Sequence, residues 1–122
     1  LRAMAVYLAS LAPPAPAPAP PASTAPTASR AARLFDSACA ACHAPTFANS
    51  LHAAQSSLDR SAVLRAPTPE ALMTLLDHGL TAPDGLDLRD MPSFRGEFSA
   101  RDRAELAHWL HARHAPDLPP WP

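Results

Sequence analysis

The sequence predicts an all-α domain with long loops. Two well-punctuated helical segments and the lack of any strand-like alternation carry that expectation. A third observation qualifies it. Hydrophobic residues reach 48% of the 122 residues, but aromatic residues only 6%. That is thin for the core of one small domain, and a large apolar prosthetic group would fill the difference.

In chain order, Leu1 to Leu11 reads as a short helix, with Met4, Tyr7, Leu8 and Leu11 along one face. A helix of about 11 residues is marginal alone, so it needs a surface to pack on. Residues 12–29 are an Ala-Pro tract holding seven of the 16 prolines. Such a tract is extended and polyproline-II-like, with a reach of about 3.1 Å per residue. It is a spacer, and a spacer in so small a chain implies a module upstream.

The compact domain is expected over residues 30–115, followed by a Pro-rich tail at 116–122. Its first helix runs from about Ser29 to Ala41, with Leu34, Phe35 and Ala38 facing inward. A short helix is expected around Ser50 to Leu58. The next helix has Thr68 as N-cap, Pro69 at N1 and Glu70 in the first turn, and ends at Gly79. Leu72, Leu75 and Leu76 form its apolar stripe, and Met73 fills the core beside them. The last helix starts at Ser99 with Asp102 at N3, an acidic variant of the capping box. It continues through Ala104, Leu106, Trp109 and Leu110 towards His114.

Several function classes fall away. A formal net charge of -1 supplies no basic field for nucleic acid or an anionic membrane. No apolar run approaches the roughly 20 residues of a membrane span. No secretory leader is visible, and the chain opens "LRAMAVYLAS" without an initiator Met, as expected for part of a longer protein. No nucleophile–base pair, phosphate loop or paired carboxylates stand out, so the domain is expected not to be a catalyst itself.

Both cysteines fall in "DSACAACHAP", with His43 directly after Cys42. Two thiols at this spacing fit three chemistries. A redox dithiol wants its first Cys at a helix N-terminus, usually after a strand; here the pair closes a helix. A structural zinc site wants a second ligand pair, and His52, His78, His108, His111 and His114 bring no further Cys, although the last three recur every third residue. Covalent haem attachment uses both thiols on the two vinyl groups and the adjacent imidazole as proximal iron ligand. It alone explains His43.

The second axial ligand is then sought among soft donors. Met91, in "LRDMPSF", lies 48 residues after His43, between two helices. Pro92 holds it away from the α region, in an extended loop able to project its thioether. Met73 sits mid-helix and Met4 in the detached first helix, so both read as packing. His78 competes, but its place beside Gly79 suits an exposed capping role.

"AARLFDSACAACH", "MPSF" and "FSARDRAELAHWLHARH" together resemble the small class I cytochrome c domain of multihaem subunits that serve bacterial periplasmic alcohol, aldehyde or N-heterocycle dehydrogenases. The resemblance covers about residues 30–115. It implies three to four helices wrapped around one covalent haem c, with Cys39 and Cys42 as thioethers and His43 and Met91 as axial ligands. Residues 1–11 are similar to the closing helix of a preceding cytochrome domain. Phe35 and Trp109 stand where the family packs its first and last helices together, and Ala31 where it usually has Gly. Leu34, Phe35, Leu72, Leu75, Leu76 and Phe94 would line the haem pocket, with Arg89 and Arg95 beside the propionates. The implied role is one-electron transfer outside the cytoplasm, in the periplasm. Its partners would be a dehydrogenase catalytic subunit, sister haem domains and a respiratory acceptor. Two rivals belong to other classes: a peroxidase-like haem enzyme or sensor with a labile sixth ligand, and a docking module that uses the Pro-rich linker and Trp121.

Overall fold

A computed structural model describes residues 28–44, 57–84 and 90–122. The expected helix at 1–11, the spacer up to residue 27 and most of the expected helix at 50–58 lie outside the described residues, as does Arg89. Four α-helices are described: α1 Arg30–Ala38, α2 Ala40–His43, α3 Glu70–His78 and α4 Ala100–His114. A 3-10 turn covers Leu58–Arg60. The all-α expectation holds among the described residues, where the single extended pairing is an isolated antiparallel bridge between Leu80 and Met91.

α1 and α4 pack against each other, and α3 packs on α4. The pattern of α4 explains this. Arg103, Leu106, Ala107, Leu110 and His111 recur at three- and four-residue spacing and are all buried, which forms an apolar stripe with polar ends. α1 buries Ala31, Ala32 and Phe35 against it. The Phe35 and Trp109 rings meet at 5.4 Å with a 42° tilt, a contact adding about 1 kcal/mol to area burial alone. The methyl of Ala31 is buried at this crossing without displacing the aromatic pair.

Local chemistry sets most helix ends. Ser29 caps α1 by accepting from the Ala32 N–H at 3.1 Å. Ser99 caps α4 by accepting from the Asp102 N–H at 3.1 Å, and its own hydroxyl donates to the Asp102 carboxylate at 2.9 Å. The same carboxylate takes a two-pronged bond from Arg30, at 2.5 and 3.0 Å. Asp102 thereby links the Ser99 cap of α4 to Arg30 at the start of α1. The Arg30 guanidinium, then the Ser99 hydroxyl, hold the Asp102 carboxyl down at about 2.

Two boundaries differ from expectation. α1 stops at Ala38, because Cys39 takes φ -115°, and α2 begins afresh. The Ser37 hydroxyl donates back to the Leu34 carbonyl at 3.0 Å, a bond that bends helices from within. α3 starts one residue late, with Pro69 rather than Thr68 at the cap position and no side-chain cap bond. The Thr68 hydroxyl turns instead to Glu70 and, with the Glu70 backbone N–H, keeps that carboxyl below its ordinary range.

The Pro-rich end is built into the domain. Trp121 is buried in the core cluster, donates its indole N–H to the Ala66 carbonyl at 2.7 Å and stacks on His111 at 4.2 Å. His111 stands between the Leu64 and Pro119 carbonyls, at 2.7 and 2.9 Å from its two ring nitrogens. Asp117 pairs with both terminal nitrogens of Arg65. Together these bonds fasten residues 117–121 to the segment that leads into α3.

Candidate haem-attachment site

Cys39 and Cys42 are free thiols at the junction of α1 and α2. The Cys42 and His43 N–H groups both donate to the Cys39 carbonyl, at 3.1 and 2.9 Å. That single turn places the three side chains at positions i, i+3 and i+4, which are neighbours on a helix surface. Cys39 belongs to the core cluster, Cys42 is exposed and His43 is half-buried. Burial, and secondarily the neighbouring Cys42, push the Cys39 thiol up to about 11. A redox dithiol needs the opposite shift, towards thiolate.

The zinc reading finds no assembly either. Among the described residues no group of three or more His, Cys, Asp or Glu side chains is placed to hold a metal ion. In the histidine series of α4, His111 faces two carbonyls, His114 contacts Asp59 at 2.6 Å through Nδ1, and His108 meets the edge of Trp121. His78 is exposed, with its Nδ1 3.0 Å from the Thr74 carbonyl of its own helix.

Met91 is half-buried and packs against the same cluster that contains Cys39. Its backbone is held on both sides: it donates to the Leu80 carbonyl and accepts from the Leu80 N–H, each at 2.8 Å. Three further bonds fix its neighbours to the last turn of α3 and to the segment just after it. The Phe94 N–H donates to the Leu76 carbonyl at 2.8 Å, the Ser93 hydroxyl to the Asp77 carbonyl at 2.6 Å, and the Ala82 N–H to the Asp90 carboxylate at 2.8 Å. The sequence expected an extended loop here. Its anchoring to α3 was not expected, since none of these partners is near in sequence.

Arg103 braces this edge from below. Its Nε lies 2.6 Å from the Asp77 carboxylate, side by side rather than in line for a hydrogen bond, while its NH1 donates to the Phe98 carbonyl. Sequence reading passed over Arg103 and Asp77. An arginine on the apolar stripe of α4 was the available signal, because a buried arginine needs a buried partner.

Of the expected pocket residues, Phe35, Leu72, Leu76 and Phe94 are buried, Leu34 and Leu75 are half-buried, and Arg95 is exposed. The donor set fits a covalently held haem. Two uncommitted thiols share one helical turn with an imidazole, and half-buried apolar side chains (Ala38, Ala40, Met73, Leu75, Met91) border the core.

Residues 26–110 match the profile of the family described as cytochrome c oxidase, cbb3-type, subunit III. Over 89 residues the chain is 34% identical to a nicotinate dehydrogenase subunit of Pseudomonas putida, a stretch covering 73% of this chain and 8% of that protein. No solved structure matches.

Proposed function

The chain belongs to the cbb3-type cytochrome c oxidase subunit III family, and on that premise we propose that it carries single electrons through one haem held by Cys39, Cys42, His43 and Met91. It is a cytochrome c domain of the kind found in dehydrogenase cytochrome subunits, an electron-transfer module rather than the catalytic unit. The observation that carries the site assignment is the single turn holding two free thiols and His43.

A bound haem would supply the Fe(III)/Fe(II) couple. Cys39 and Cys42 would hold it by adding their S–H groups across its two vinyl double bonds, sulfur to one carbon and hydrogen to the other. His43 and Met91 would hold the iron, and a thioether ligand would favour Fe(II), raising the potential above that of a bis-His site. Leu72, Leu76 and Phe94, all buried, would keep water from the ring and disfavour the extra charge of Fe(III). The half-buried side chains around Met91 and Cys39 are where an electron would enter or leave a bound haem.

The electron source, by similarity to a subunit named for nicotinate dehydrogenase, is a dehydrogenase partner that oxidises a small organic substrate. The acceptor is a respiratory component. Maturation of a thioether-bound haem outside the cytoplasm supports a periplasmic location. Separately, among the described residues no helix is long and apolar enough to cross a membrane.

The test is a pyridine haemochrome spectrum and intact mass of protein matured in a cell that makes c-type cytochromes. One haem mass retained after denaturation is expected, with loss of the covalent adduct in the Cys39→Ala/Cys42→Ala double variant. Protein recovered with zinc, or with both thiols free after maturation, would overturn the assignment. Rapid cyanide or CO binding to the oxidised or reduced protein would favour the peroxidase-like reading instead.

A further inference from the structure

Gly79 closes α3, donating its N–H to the Leu75 carbonyl at 2.8 Å, and takes φ +72°. A side chain there meets two obstacles. The left-handed backbone strains any L residue. A Cβ would also stand 2.4 Å from the Met91 carbonyl oxygen, 2.8 Å from the Ser93 nitrogen and 2.9 Å from the Pro92 carbonyl carbon. All three are backbone atoms, so no side-chain rotation relieves the clash. The bare Cα is what lets the 91–93 segment lie against the end of α3, and the Ser93 hydroxyl, bonded to the Asp77 carbonyl, holds it there.

We propose that Gly79 and Ser93 are positioning residues for Met91: they set how far its thioether reaches and thus how firmly sulfur binds the iron. The inference rests on the His43/Met91 reading above and extends it to residues that touch neither the iron nor each other's side chains. It distinguishes the Met91 segment from the rest of the same loop. Gly96, five residues on, has nothing within 4 Å of where its Cβ would be, so the same substitution there leaves Met91 alone.

The experiment uses the full haem-loaded chain as wild type, Gly79→Ala, Gly96→Ala and Ser93→Ala. The ferric methionine–iron charge-transfer band is followed during heating, beside far-ultraviolet circular dichroism. In the wild type and Gly96→Ala the band is expected to survive until the helices melt. In Gly79→Ala it should be absent, or vanish while helix content is intact, and Ser93→Ala should show a smaller shift in the same direction. A Gly79→Ala protein whose band tracks helix loss as in Gly96→Ala overturns the inference and leaves the ligand assignment standing. Should Gly79→Ala fail to fold, Ser93→Ala decides: a band that tracks its helix loss as in the wild type overturns the inference. Haem-loaded wild type without any such band overturns the Met91 assignment, and this inference falls with it.

Discussion

The α1–α4 crossing and the α3–Met91 edge are held by different means. At the crossing, apolar side chains interlock, Phe35 meets Trp109, and Arg30 and Asp102 form a two-pronged pair next to a capped helix start. At the edge, backbone bonds predominate, Leu80 with Met91 and Phe94 with Leu76, joined by the Ser93 hydroxyl donating to the Asp77 carbonyl. Area burial governs the stability of a crossing. A lattice of hydrogen bonds contributes little net energy per bond but fixes position closely. The crossing therefore sets whether the domain folds, and the edge sets where one sulfur sits.

That contrast is open to direct attack. The largest effect is expected where the C-terminal residues brace α4 against the segment leading into α3. Trp121→Ala removes a buried ring from its stack on His111 and should cost about 4 kcal/mol, in the range for buried aromatic truncations, measured by denaturant unfolding. Its methionine–iron band should persist until unfolding. A protein of wild-type stability would show that the tail is an appendage, as the docking-module reading requires.

Arg103→Gln comes next, and it strikes where the two regions meet. It leaves the Asp77 carboxylate without its partner and should cost about 3 kcal/mol. Because the Ser93 tie ends on the same residue, the Met91 environment should loosen as well. Loss of stability with an unchanged band during heating would confine Arg103 to the crossing.

Ser99→Ala should cost about 1 kcal/mol through the lost α4 cap, again with the band unchanged. The smallest effect is in pH. Asp102 has its carboxyl depressed to about 2 from an ordinary 3.8, so its contribution is present above about 3.8 and disappears as pH falls towards 2. Melting temperatures of Asp102→Asn should therefore fall less steeply than those of the wild type between pH 4 and pH 2. Parallel curves would contradict the Arg30 pairing.

Legibility in the sequence divides along the same line. The Ser99 cap, Gly79 as the end of α3 and the Cys39–His43 turn could be read directly, because each is decided by residues within about four positions of one another. The Phe35–Trp109 contact spans the fold and became visible through family resemblance. What stayed hidden depends on distant partners. Nothing in "LRDMPSF" says that Met91 pairs with Leu80, and nothing in "LPPWP" says that Trp121 reaches the Ala66 carbonyl. Proline density made the last residues read as a tail, although proline excludes helix and not burial. The break at Cys39 also escaped notice, since no Gly or Pro marks it and the Ser37 back-bond is invisible until the helix exists.

Proton NMR of the reduced, haem-loaded chain tests the central assignment most directly. An axial methionine lies over the porphyrin ring, whose current drives its methyl resonance far upfield. That resonance is expected in the wild type and in Met73→Leu, and should be missing from Met91→Leu. Its survival in Met91→Leu, or its loss in Met73→Leu, would contradict the pairing of Met91 with His43 across one iron.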